Sequence, residues 1–135
     1  AAYNVCQAVL PHFKQRGQGS IVNLTSDLVD RPSIAYHDYT TAKSALVGFS
    51  RNLAAELGPF GIRVNALNPV AGETPLLKSF MGQDTPEIRA KFLSTIPLGR
   101  FSTPEDMGNA ACFLCSDEAS MVTGVCMAVD GGRCI

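Results

Sequence analysis

Apolar residues along this chain recur at two different spacings, and the alternation between them sets the expected fold. From Ala1 to Arg16 they fall at helical intervals, with Val5, Val9 and Phe13 on one stripe and Ala8 beside it. The glycines of "RGQG" stop that helix. "SIVNLTS" (Ser20–Ser26) is short, apolar and β-rich after a turn, which predicts a buried strand. Polar and turn residues follow as far as Pro32. From about Tyr36 to Leu57 runs the longest helical signal, carried by Ala42, Leu46, Phe49, Leu53 and Leu57 and closed by "GPFG". "IRVNALNP" (Ile62–Pro69) predicts a second strand, cut off by its proline. The stretch from Val70 to Thr103 is irregular, with room for short helices near Leu76–Met81 and Pro86–Ser94. Thr103 as N-cap, Pro104 at the first helical position and acids in the first turn predict a further helix. "GVCMAVDGG" then predicts a third strand and a terminal turn.

Helix, strand, helix, strand, helices, strand is the order of an α/β fold with a parallel sheet covered on both faces. Three strands make a thin sheet with one raw edge. The 135 residues fit one domain, and no repeat or low-complexity linker divides them. Composition narrows function only by exclusion. With 46% apolar residues and a net charge of −1, the chain is expected to be globular, not disordered and not an electrostatic nucleic-acid binder. Its apolar runs are too short for a bilayer, and no signal peptide opens it, so no membrane role is expected. It begins "AAYNVCQAVL", without methionine and with the pattern of a helix interior. The five cysteines are scattered and suit a reducing cytoplasm. Cys112 and Cys115 form a CxxC, but no second ligand pair stands nearby. They are expected to be buried small hydrophobes, and no metal site is expected.

Parallel sheets gather reactive groups where strands end and helices begin. Ser26 ends the first predicted strand. Tyr39 and Lys43 lie four apart near the start of the long helix, so their side chains share a face. Thr40, Thr41 and Ala42 between them leave a ligand room to approach. A free tyrosine titrates near pH 10, too high for a good base at neutrality, and a neighbouring ammonium favours the phenolate. A serine hydroxyl can hold a carbonyl or alcohol oxygen for such a tyrosine. On spacing alone, a solvated helix start is the better reading of the pair. A hydrolytic triad of Ser26, His37 and Asp38 is the other arrangement available. It lacks a GxSxG elbow, and an acid at a helix start complements the dipole without further purpose.

"GSIVNLTS", then twelve intervening residues, "YTTAK", "GIRVNALNP" and "VTGVCMAVDGG" come in an order that resembles the short-chain dehydrogenase/reductase family across nearly the whole chain. The resemblance implies a Rossmann-type fold and an NAD- or NADP-dependent oxidoreductase that interconverts a secondary alcohol and a ketone. It implies that Ser26 positions the substrate oxygen, that Tyr39 is the general acid/base, and that Lys43 binds the nicotinamide ribose and assists the tyrosine. The family's serine lies thirteen positions before its tyrosine, which selects Ser26 over Ser20 and Ser33. Tyr36 has Thr40 where the motif needs lysine and is expected to be a wall residue. Asp27, Asp30 and Arg31 are expected to form a solvated loop. The loop "PVAGETPLL" is expected to contact the nicotinamide through Pro69, Gly72 and Thr74. Val70 stands where the family has glycine, and the displaced Gly72 implies a different backbone path, since glycine takes positive φ freely. The variant is similar to glucose 1-dehydrogenase-like and 3-oxoacyl-carrier-protein-reductase-like members. Leu28, Ala71, Leu76 and Phe80 are expected along the substrate cleft, with Glu73 to Ile96 as a lid.

The family's glycine-rich phosphate turn, which follows its first strand, is not found in these residues, and "RGQGS" precedes a strand. The residue that selects NAD or NADP belongs to the same half, and the family's catalytic asparagine falls ahead of Ala1. Residues 1–135 are therefore expected to be the C-terminal part of a single domain: a partial doubly wound sheet of the last three strands with flanking helices. By resemblance the protein is expected to form a homodimer or homotetramer. A second expectation, of another class, is a non-catalytic half-domain that acts through dimerisation with a homologue.

Overall fold

Every stretch with helical spacing forms a helix in the structure, a computed structural model that describes residues 1–135. The elements are α1 (Ala2–Arg16), β1 (Gly19–Leu24), α2 (His37–Leu57), β2 (Ile62–Pro69), α3 (Leu77–Met81), α4 (Pro86–Leu93), α5 (Pro104–Cys115) and β3 (Cys126–Val129). The three strands form one parallel sheet in the order β1-β2-β3. Gly19 to Leu24 run beside Ile62 to Leu67, and Ala66 to Pro69 beside Cys126 to Val129. β2 is central, and all but two of its residues are buried, as a strand covered on both faces requires. No helix is long and apolar enough to cross a membrane.

Alternation along the strands assigns the helices to faces. Ile21 and Asn23 face α1 and α2. Ile21 packs against the core of Cys6, Leu10, Leu53, Leu57, Ile62 and Val64, and the Asn23 amide donates to Ser50 Oγ at 2.9 Å. Ser20 faces the other way and donates to the Leu114 carbonyl of α5 at 3.0 Å. Arg63, on that same face, donates to the carbonyls of Leu114 at 2.6 Å and Ser116 at 2.9 Å. These are the acceptors that a helix C-terminus leaves without an internal partner.

Two packing expectations are corrected. On α1 the buried residues are Cys6 and Leu10, with Phe13 beside them, while Val5 is 62% exposed and Ala8 is exposed. Two apolar stripes overlap on this helix, and the sheet takes the one with the bulkier Leu10. On α5 the expected burial of Cys112 and Cys115 does not occur: both are exposed, and Leu114 alone is fully covered. Successive helical positions rotate by about 100°, so a helix anchored through residue 114 turns 112 and 115 away from the sheet.

Candidate active site

β1 ends two residues before Ser26, and side chains carry the pairing onward. The Thr25 amide donates to the Leu67 carbonyl at 2.8 Å, and its hydroxyl reaches the same oxygen at 2.9 Å and also Asn68. The expected strand up to Ser26 is thus shortened to Leu24. Ser26 keeps an extended backbone, with φ −163°, and caps a short 3-10 turn over residues 27–29, where its Oγ accepts from the Leu28 amide at 3.2 Å. The hydroxyl donates to Asp27 Oδ1 at 3.2 Å. Two of its hydrogen-bonding positions are taken, which leaves a lone pair for a ligand.

The first turns of α2 bring up Tyr39 and Lys43. Lys43 donates to the Leu24 carbonyl at 2.8 Å, with its ammonium 5.6 Å from the centre of the Tyr39 ring. Lys43 therefore bridges the helix to the end of the strand that leads to Ser26. Ser26 and Tyr39 line one cleft of about 430 Å³, together with Pro69, Gly72 and Thr74 of the loop after β2. Its apolar wall includes Leu28, Ala71, Leu76 and Phe80, as the sequence suggests. A hollow of about 490 Å³ beside β3 is slightly larger, but its charged pair, Arg100 and Asp106, is closed on itself at 2.6 Å. Size does not separate the two hollows; the smaller is the one lined by Ser26 and Tyr39.

Gly72 departs from the expected reason for a glycine. Its φ is not positive. It forms a parallel bridge with Ser102, and a Cβ there would lie 2.8 Å from Ser102 Oγ. The same Cβ would lie 3.0 Å from the Ser102 carbonyl oxygen, so a close approach and not an unusual dihedral favours glycine here.

The segment from Glu73 to Ile96 carries α3 and α4. Arg89 ties it together through Glu73 at 2.7 Å and Asp84 at 2.5 Å. Tyr36 is a wall residue: its hydroxyl donates to the Phe80 carbonyl at 3.1 Å, and its ring packs 5.6 Å from that of Phe80. His37 and Asp38 are exposed and do not line the cleft, so the triad of Ser26, His37 and Asp38 has no geometric support.

The expected solvated loop is corrected at its first residue. Asp27 is 5% exposed, and its Oδ2 accepts from Arg133 Nε at 2.9 Å in an ion pair whose side chains are both almost buried. Burial pushes the Asp27 carboxyl above the usual carboxylate range, against the pull of Arg133 and the hydroxyl of Ser26. Asp30, by contrast, is exposed and accepts from the Asn68 amide at 2.9 Å. No local pattern marks the Asp27–Arg133 pair. The only cue is a lone arginine after a glycine pair at the end of the last strand.

A family model described as "Enoyl-(Acyl carrier protein) reductase" matches residues 1–133. The chain is 48% identical over 134 residues to 4-formylbenzenesulfonate dehydrogenase TsaC1/TsaC2 of Comamonas testosteroni, covering 98% of this chain and 53% of that protein. It is 45% identical over 130 residues to the "Inactive 2-(S)-hydroxypropyl-CoM dehydrogenase 2" of Xanthobacter autotrophicus, covering 93% of this chain and 56% of that one. Among solved structures, 3-ketoacyl-(acyl-carrier-protein) reductase from Brucella melitensis complexed with NADH superposes with a TM-score of 0.89 at 45% identity. That match covers 98% of this chain and 53% of the solved one. The chain thus spans about half the length of the relatives it matches.

Proposed function

The chain belongs to the short-chain dehydrogenase/reductase family, and on that premise we propose that it is the C-terminal part of a single Rossmann-type domain that interconverts a secondary alcohol and a ketone with NAD or NADP. The observation that carries this reading is the shared cleft of Ser26, Tyr39 and the Pro69–Thr74 loop. In the oxidative direction Tyr39 takes the hydroxyl proton of the substrate, and in the reductive direction it returns that proton to the carbonyl oxygen. Ser26 holds the same oxygen when its O–H turns from Asp27 Oδ1 to donate to the substrate. The apolar wall suits a substrate with a hydrophobic body, and the volume suits a small molecule.

The residues present fit a nicotinamide cofactor. Lys43 has three N–H donors; one goes to Leu24, and no carboxylate pairs with it. The remaining donors suit ribose hydroxyls, and Pro69, Gly72 and Thr74 line the side of the cleft where the nicotinamide would lie. When bound, that cofactor supplies or accepts the hydride. A homodimer or homotetramer in the cytoplasm is the setting we assign.

Tyr39→Phe in the complete protein tests the reading. Turnover is expected to fall by about a hundredfold or more, with cofactor binding retained when followed by nicotinamide fluorescence. Wild-type turnover in that variant would sink the assignment.

A second reading, a half-domain that acts by association, draws on one observation: a relative 45% identical to this chain carries the word "Inactive" in its name.

A further inference from the structure

The last turn of the chain folds back under the serine loop. Gly131 at φ 64° and Gly132 at φ 88° reverse the backbone after β3, and a Cβ on Gly131 would lie 2.6 Å from Ile96 Cγ2. Asp130 fixes the reversal by accepting from the amides of Gly132 and Cys134, each at 2.9 Å. Arg133 is thereby delivered to Asp27. Its Nε meets Asp27 Oδ2 at 2.9 Å, its Nη1 donates to Thr95 Oγ1, and its guanidinium lies 4.2 Å from the centre of the Phe92 ring. The Arg133 carbonyl accepts from Arg31 Nη1 at 2.6 Å, which closes the serine loop from its other end.

We propose that Asp27 and Arg133 are a positioning pair for Ser26. One carboxylate oxygen holds the resting serine hydroxyl, which turns from there to the substrate oxygen, and Arg133 holds the other while joining it to Thr95 and to Phe92 of α4. A buried ion pair adds little net stability over well-packed apolar residues, so fixed geometry is the clearer consequence of this one. Both Asp27 oxygens are committed, one to Ser26 and one to Arg133, so the hydroxyl direction follows the guanidinium. Thr95 and Phe92 extend the same constraint to α4 and the turn that follows it.

The inference rests on Ser26 acting at the substrate oxygen, and the test separates the two. In the complete protein, kcat, substrate KM and cofactor affinity are compared for wild type, Ser26→Ala, Arg133→Met and the double variant. Arg133→Met is expected to lower kcat about tenfold when Ser26 is present and to change nothing further when it is alanine, with cofactor affinity constant throughout. A purely structural role would lower kcat by the same factor in both backgrounds, and that result overturns the pair. If Arg133→Met fails to fold, Arg133→Lys runs the same cycle. It keeps the cation but loses the planar fork, so a smaller loss is expected that again vanishes without Ser26. Retained turnover in Tyr39→Phe would sink the oxidoreductase reading itself. Loss there, together with multiplying effects in the cycle, removes only the positioning pair.

Discussion

Cys134 sits where a thiol is hard to ionise. Its Sγ donates to the Asp27 carbonyl at 3.6 Å, and its amide is held by Asp130. Burial first, then the Asp130 carboxylate, push the thiol up to about 12. Cys6, buried under α1, is also pushed up. Cys112 and Cys115 are exposed. Because the thiolate is the reactive form, a disulfide reagent at about pH 8 is expected to label Cys112 and Cys115 quickly in the native protein. Cys134 and Cys6 should react only on unfolding, or for Cys134 as the pH approaches its raised value. Mass spectrometry of the labelled peptides checks this, and equal rates at Cys112 and Cys134 would contradict the burial described here. Exposure of this kind was not legible beforehand, because helical spacing gives a stripe and not which of two overlapping stripes the sheet takes.

Elements were far more legible than their packing. The N-terminus of α5 shows why. Thr103 accepts from the Asp106 amide at 3.3 Å while Asp106 Oδ2 accepts from the Thr103 amide at 2.8 Å, a reciprocal cap written in four adjacent residues. Thr103→Ala is expected to cost about 1 kcal/mol, seen as a lower melting temperature by circular dichroism. Arg100, and then the Thr103 amide, hold the Asp106 carboxyl well below the usual carboxylate range. Its contribution is therefore present above that range and lost only as the pH falls into strong acid, so the effect of Thr103→Ala should persist at mildly acidic pH. That Tyr39 and Lys43 share a face was readable for the same reason, since an i,i+4 pair shares a face by geometry, whereas their grouping with Ser26 came from the family resemblance. Lys43 reaching back to Leu24, Gly72 meeting Ser102 and Asp27 meeting Arg133 were not readable, since each joins segments that only the completed sheet brings together.

At the scale of the molecule, these 135 residues taken alone leave one side of β1 unpaired. That strand pairs only with β2, and a groove of about 350 Å³ lined by Val5, Val9, Phe13 and Val22 runs beside it. Leu24, at the end of the edge, is 56% exposed. Unpaired strand edges with apolar neighbours recruit other chains, and a lysine on the edge opposes this. The purified 135-residue chain is expected to self-associate with rising concentration, and Leu24→Lys to reduce the association at little cost in stability. Sedimentation velocity measures it; a monomer at every concentration would remove the support for the association reading. The Asp27–Arg133 contact adds a dimension that the finished fold conceals, because it joins residues 106 apart in the chain. A ribosome adds about 5–20 residues each second, so the serine loop emerges roughly 5–20 s before its anchor exists. During that interval Tyr39 and Lys43 are already made, and the carboxylate beside Ser26 waits for its counter-ion. The site is finished by its last-synthesised member.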